Sequence, residues 1–204
     1  MTRNLIATTL FTLTSFFSFA QAVNRLEPTA LMKHETKWLV QALEQAHYNK
    51  VSLSDLNQTK FLNSYLSKLD PQKLYFTKQD IDKFHQNITP NIITYFRQGN
   101  LFPAFDIFNV YQQKSISLLE EAVLKLDHQI DLNQSTQYLY DRSEAEWSDT
   151  VNDLSLVWQN LISHEIIHEI LNSIDANVTS LNLQDDDFDK LLSDSRQLLK
   201  DRYI

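Results

Sequence analysis

The sequence of 204 residues contains no cysteine and only one glycine. Without cysteine the chain has no disulfide and no thiol for lipidation, which is compatible with an oxidising compartment without demanding one. Folds built from strands and tight turns depend on turn glycines, and here only Gly99 and four prolines are available. The sequence therefore predicts an all-α fold, an irregular arrangement of about six to eight helices.

Long hydrophobic runs are also scarce. The apolar stretch at residues 5–19 is interrupted by Thr and Ser, and it is shorter than the roughly 20 apolar residues that a membrane-spanning helix needs. Arg3 precedes this stretch, and Ala20-Gln21-Ala22 follows it as a small-x-small cleavage site. These features are typical of a secretory signal peptide. We expect a signal peptide at residues 1–22, then a helical domain at residues 23–204 with no membrane span.

Basic side chains are fewer than acidic ones. The chain has 18 Lys and Arg side chains against 26 Asp and Glu, for a net charge of −8. Removal of residues 1–22 takes away Arg3 alone, which leaves 17 basic against 26 acidic side chains, or −9. Binding to a phosphate backbone relies on clustered Lys and Arg. Nucleic acid is therefore not expected as a partner.

Helical periodicity and local stop signals divide the chain into elements. Pro28 suits the first turn of a helix, and Gly99 suits a helix C-terminus. Pro103 opens a long helix that extends to about residue 127, with enough apolar surface to act as a central core element. Further helices are expected at residues 28–46, before 70, from 77, at 91–97, at 151–172 and from 185. Residues 131–140 have no clear period and are expected to cross the surface.

The most specific pattern lies within residues 47–84. Apolar residues recur at helical spacing up to Leu69, and Asp70-Pro71 then ends the helix because a proline ring disfavours a helical residue before it. Leu74-Tyr75-Phe76 follow as an apolar aromatic plug. Thr77 and Asp80 have the spacing of a capping box, which predicts the start of the next helix.

This pattern resembles the N-terminal helical domain of the tail-specific (C-terminal processing) serine proteases of the bacterial periplasm. The resemblance rests on these residues: His47-Tyr48, Tyr65-Leu66, Leu69-Asp70-Pro71, Lys73, Tyr75-Phe76, Asp80-Ile81, Phe84, Asp141-Arg142-Ser143, Trp147, Leu154, Val157-Trp158, Leu198-Leu199 and Arg202-Tyr203. It implies an all-α domain in the periplasm, followed in the family by a PDZ domain and a protease domain with a Ser/Lys dyad. No residue up to Ile204 corresponds to that dyad.

The resemblance therefore implies no catalytic residue and no cofactor in this chain. Its implied role is architectural: a non-catalytic scaffold that docks on the PDZ and protease parts or on a periplasmic adaptor protein. The sequence leaves open whether the chain is a truncated remnant, half of a split protease or an independent module.

A second motif favours a different function. His164, Glu165 and His168 form a literal H-E-x-x-H within a predicted helix, which would place two zinc ligands one turn apart with a water-polarising carboxylate between them. The expected third ligand is missing, because no His and no Glu follow Glu169. A small secreted zinc metallopeptidase remains the alternative. The favoured interpretation assigns no metal and places both histidines at the border of a packed face.

Other polar and aromatic groups are interpreted as structural. Asp141-Arg142-Ser143 is expected to form a cap and an ion pair rather than a catalytic loop. The acidic tract at residues 185–189 lacks the glycine and terminal Glu of a calcium-binding EF-hand, so we expect it to be a solvated helix start. The list of expected core aromatics includes Trp38, Trp147 and Trp158. The plug and Leu198-Leu199 are expected to leave some apolar area exposed for a partner.

The first prediction concerns export. If residues 1–22 are a cleavable signal peptide, the mature protein begins at Val23. N-terminal sequencing of the protein purified from a periplasmic extract checks this. Recovery of an uncleaved cytoplasmic form that starts at Met1 would contradict it.

Overall fold

The computed structural model describes residues 24–46, 52–127, 137–174 and 186–203. Within these ranges the chain forms seven α-helices and two short 3-10 turns, and no β-strand beyond a single bridge between Thr77 and Ser148. The all-α prediction is confirmed. The helices are α1 Ala30–Ala46, α2 Gln58–Leu69, α3 Lys78–Ile88, α4 Ile92–Gln98, α5 Phe102–Asp127, α6 Val151–Ser173 and α7 Asp186–Tyr203; the 3-10 turns are Leu53–Asp55 and Thr89–Asn91.

Several predicted features fall outside the described residues. These are the signal peptide at residues 1–22, the His47-Tyr48 pair, residues 131–136 of the segment expected to cross the surface, and Asp185 at the start of the acidic tract. Asp187 and Asp189 are described, and both are exposed near the beginning of α7.

Capping boxes fix the starts of two helices, and the sequence predicts the first of them. Asp80 accepts hydrogen bonds from the backbone N–H and the hydroxyl of Thr77, at 2.9 and 2.7 Å, and so closes a capping box at α3. Thr150 and Asp153 form the same reciprocal arrangement at α6. Each box satisfies backbone donors that a helix N-terminus otherwise leaves without a partner.

The single glycine serves two purposes. Gly99 ends α4 in the left-handed conformation, with φ of 62°, and its N–H donates to the carbonyl of Phe96. A Cβ atom at this position would lie 2.3 Å from the carbonyl oxygen of Lys33 in α1. Glycine is therefore required both for the turn and for the close approach of α1 to the end of α4.

Among the described residues, the interior contains two apolar clusters that share one helix. The long helix α5 contributes Ile107 to the first cluster and Leu118, Ala122 and Leu126 to the second, so the prediction of a central core element is confirmed. Buried partners in the first cluster are Leu62, Leu66, Phe76, Ile81 and Ile92. Those in the second are Leu154, Trp158, Ile162, Ile166, Ile170, Phe188 and Leu199.

A buried carboxylate sets the turn between α2 and α3. Asp70 has no exposed surface, and its side chain accepts three backbone N–H groups: Leu74 at 2.7 Å, Tyr75 at 2.9 Å and Phe76 at 3.0 Å. Burial raises the pKa of the Asp70 carboxyl, while these three donors and the nearby Arg142 oppose the rise. The carboxylate thereby provides the hydrogen-bond acceptors that water would provide to these three amides in an unfolded chain.

The turn directs the aromatic plug inward. Phe76 is fully buried, and its ring meets those of Phe84, Tyr111 and Trp147 at centroid distances of 5.5, 6.0 and 6.2 Å. Leu74 and Tyr75 are half-buried against the second cluster. The expectation that the plug leaves apolar area exposed is wrong for Phe76, because the three amides held by one carboxylate force its side chain into the core.

Removing one acceptor from this turn is expected to weaken the fold. An Asp70→Asn side chain keeps the shape but presents an NH₂ group to at least one of the three N–H donors, which then stays unsatisfied in the interior. We expect a loss of about 1–3 kcal/mol in the free energy of unfolding, measured by urea denaturation followed by circular dichroism.

The control is Asp82→Asn, the same change at an exposed position of α3. It should leave the unfolding midpoint almost unchanged. Equal midpoints for the two variants would contradict the role of Asp70.

Candidate functional site

The two histidines of the H-E-x-x-H segment lie on one side of α6. The rings of His164 and His168 are nearly parallel, at an interplanar angle of 21°, with their centroids 6.3 Å apart. The His164 ring also lies against Tyr138, at a centroid distance of 4.7 Å. His168 Nδ1 is 3.0 Å from the amide nitrogen of Asn172. The prediction that both histidines border the packed face fits this arrangement: His164 is half-buried and His168 is exposed.

The carboxylate between them is engaged with a different helix. Glu165 accepts a hydrogen bond from the hydroxyl of Tyr203 at the end of α7, and Glu169 pairs with Arg202 one turn further on. Burial and the neighbouring Glu165 carboxylate raise the pKa of Tyr203. The hydrogen bond between Tyr203 and Glu165 thus joins α7 to α6.

Within the described part of the chain, a third metal ligand does not join this pair. Among the described residues, no group of three or more His, Cys, Asp or Glu side chains is arranged to hold a metal ion. A catalytic zinc site needs three protein ligands and an open position. The arrangement therefore gives no support to the zinc-metallopeptidase alternative built on His164, Glu165 and His168.

The loop at Asp141-Arg142-Ser143 also makes structural contacts. The Arg142 guanidinium donates to the backbone carbonyl of Gln72 at 3.2 Å, and the Arg142 N–H donates to the Gln72 side chain at 2.7 Å. Asp141 accepts the N–H of Ser143 at 2.9 Å, which lowers the pKa of the Asp141 carboxyl. These contacts join the loop to the turn after α2; among the described residues, Arg142 donates to Gln72 and does not form the expected ion pair.

Lys73 also binds the loop that contains Asp141, Arg142 and Ser143. It adopts a positive φ of 53°, and its ammonium donates to the carbonyls of Ser143 and Ala145. The same ammonium lies 5.8 Å from the ring centre of Trp147, within the range of a cation–π contact. The turn after α2 and the loop at residues 141–147 thus form one connected structural unit.

Helix α1 presents an unexpected surface. Its inner side meets the domain through Val40, which is buried, through the Lys33 carbonyl near Gly99, and through an ion pair of 2.9 Å between Glu44 and Arg97. On its other side, exposed apolar side chains form what we call the outer α1 stripe: Leu31, Met32, Trp38, Leu39 and Leu43.

Trp38 corrects a sequence-based expectation. It was expected in the core with Trp147 and Trp158, yet 66% of its surface is exposed. Trp158 is buried, and Trp147 packs against the first cluster. The predicted helix forms, but the domain contacts the side of α1 that carries Val40 and not the side that carries Trp38.

A second set of exposed apolar side chains lies on α6 and α7. Ile167, Leu171 and Leu198 are exposed, whereas the neighbouring Leu199 is fully buried in the second cluster. The expectation of apolar exposure at Leu198-Leu199 is therefore confirmed for Leu198 and wrong for Leu199.

None of the described helices is long and apolar enough to cross a membrane.

Comparison with known proteins is consistent with the residue pattern. The family model described as the tail specific protease N-terminal domain matches residues 39–203. A tail-specific protease of Haemophilus influenzae is 31% identical to the chain over 133 residues, which cover 65% of this chain and 19% of that protein. The aligned region thus spans about a fifth of the length of the relative.

The contact between Glu165 and Tyr203 generates a prediction about the H-E-x-x-H segment. Glu165→Gln retains an oxygen that accepts the Tyr203 hydroxyl, so the free energy of unfolding should fall by less than about 1 kcal/mol, whereas Glu165→Ala should cost about 1–3 kcal/mol. Chemical denaturation of both variants measures the difference.

Hydrolysis of unstructured peptides by zinc-loaded protein is the matching functional assay. Glu165→Gln should leave the rate at background. A zinc peptidase would lose roughly 10² to 10⁴ in rate without its general base, so activity abolished by this single change would contradict the structural role.

Proposed function

This chain belongs to the family of tail-specific protease N-terminal domains, and from that membership we propose that it is a non-catalytic scaffold that docks on the PDZ and protease parts of such an enzyme. The outer α1 stripe is the observation that carries the proposal. We further propose that residues 1–22 direct the chain to the periplasm. A periplasmic adaptor protein is a second candidate partner for the same scaffold.

The stripe has the chemistry of a docking surface. Five large apolar side chains follow one side of four helical turns, and contiguous exposed apolar patches are uncommon on proteins that act alone. Burial of such area is worth roughly 25 cal/mol per Å², so a partner that covers the stripe gains free energy that solvent does not provide. Trp38 is the strongest candidate anchor, because tryptophan is enriched among residues that dominate binding energy.

The relative supports a partner within the same kind of protein. The aligned region is 19% of the Haemophilus influenzae protease, so most of that protein lies outside this domain. In a protein of that length a helical domain of this size has other parts to pack against. The outer α1 stripe is the surface that we assign to this contact.

The proposed lack of catalysis rests on how the polar groups are engaged. Nucleophilic catalysis needs an activated group within hydrogen-bond reach of its base. The Lys73 ammonium lies near Ser143 but donates to the carbonyls of Ser143 and Ala145, so it is engaged with the backbone and not with the Ser143 hydroxyl. Glu165 accepts from Tyr203. These groups support the fold, and the chemistry of the enzyme is assigned to the separate protease part.

A docking experiment tests the scaffold role. The mature chain, mixed with a separately expressed PDZ–protease fragment of a close relative, should form a saturable complex in titration calorimetry. Trp38→Gln combined with Leu39→Gln should weaken it by about tenfold or more, which corresponds to about 1.4 kcal/mol.

The matched control is Leu124→Gln, the same type of change at an exposed position of α5 that belongs to neither set of exposed apolar side chains. It should leave the affinity unchanged. A protein that stays monomeric and ignores the fragment at high micromolar concentration, or that loses equal affinity in both variants, would contradict docking through α1.

A further inference from the structure

An apolar cavity of about 250 Å³, partly open to solvent, lies between α2, α4 and the beginning of α5. Carbon atoms of aromatic and aliphatic side chains make up nearly all of its wall. Residues that define it include Phe61, Tyr65, Ile92, Phe96, Ala104 and Ile107. These residues come from three separate helices, so the cavity exists only in the folded domain.

Contacts that need no ligand hold the walls in place. The Tyr65 hydroxyl donates to the Ala104 carbonyl at 3.0 Å and so joins α2 to α5. The Asn100 N–H donates to the Tyr95 carbonyl at 2.7 Å and fixes the end of α4. At the rim, the rings of Phe61 and Phe96 meet edge to face with centroids 5.0 Å apart. The cavity is therefore preformed, which lowers the entropic cost of binding.

The wall offers little to an ion or to a peptide backbone. The Tyr65 hydroxyl is engaged with Ala104, and the side-chain oxygen of Asn100 accepts the N–H of Phe102 at 3.1 Å. Burial of a charge or of an amide without a hydrogen-bond partner is costly. The chemistry favours an uncharged ligand that consists mainly of hydrocarbon.

The volume restricts the ligand further. A cavity of about 150 Å³ lined by Leu, Ile and Phe takes up benzene, whereas sites for drug-sized molecules begin at about 300 Å³. At about 250 Å³ this cavity lies between the two limits. One or two fused rings, or a branched aliphatic group of similar size, would fill it.

We propose that this cavity is a binding site for a small, uncharged aromatic or branched hydrocarbon that enters as a free molecule. The site is distinct from the outer α1 stripe, and the proposal does not depend on the scaffold role. The rings of Phe61 and Phe96 favour an aromatic ligand over a flexible chain, because an aromatic ring can pack edge to face against them.

Three probes that share one ring system test the proposal: indole, indole-3-carboxylate and N-acetyltryptophanamide. Titration calorimetry should show that one indole binds per chain, and methyl NMR should show shifts centred on Ile92 and Ile107. The carboxylate and the amide should bind at least about tenfold more weakly, because one brings a charge and the other a peptide backbone. Equal or tighter binding of either would overturn the proposal.

Variants then locate the site. Ala104→Leu places three further carbon atoms in the cavity and should weaken indole binding by about tenfold or more, whereas Ala42→Leu, the same change on α1, should leave it unchanged. Leu101 also lines the cavity. If the Ala104→Leu variant does not fold, Leu101→Phe is the second cavity-filling variant. Indole binding that survives in the folded cavity-filling variant, or no saturable binding up to the solubility limit of indole, would overturn the proposal.

Discussion

The contact on which most of this domain depends is the acceptance of three backbone N–H groups by the buried carboxylate of Asp70. An unsatisfied amide in the interior costs about 1–3 kcal/mol, so three of them in one turn would outweigh much of the apolar gain around them. With Asp70 in place, all three amides have an acceptor as the chain passes from α2 to α3. Phe76 can then occupy the centre of the first cluster.

The same turn organises distant parts of the chain. The carbonyl of Leu74 accepts a hydrogen bond from the indole nitrogen of Trp158 at 2.6 Å, which ties the turn to α6. Lys73 and Gln72 hold the loop that leads to Trp147. The turn after α2 is therefore connected to elements about 70 to 85 residues further along the chain.

Local signals explain which features the sequence could predict. Capping at Thr77 and Thr150, the helix stop at Asp70-Pro71 and the helix end at Gly99 each depend on a few neighbouring residues. The exposure of Trp38 could not be found in this way, because periodicity defines an apolar side of α1 but not which side the domain contacts. The apolar cavity was also missed, since helices distant in sequence form its walls.

Helix α5 links the two apolar clusters of the interior. Ile107 near its start and Leu126 near its end belong to different clusters, and both lie in one continuous helix of 26 residues. The two clusters are therefore held at a fixed separation by the helix backbone itself. A displacement of one cluster relative to the other has to bend α5 or unwind it between Ile107 and Leu118.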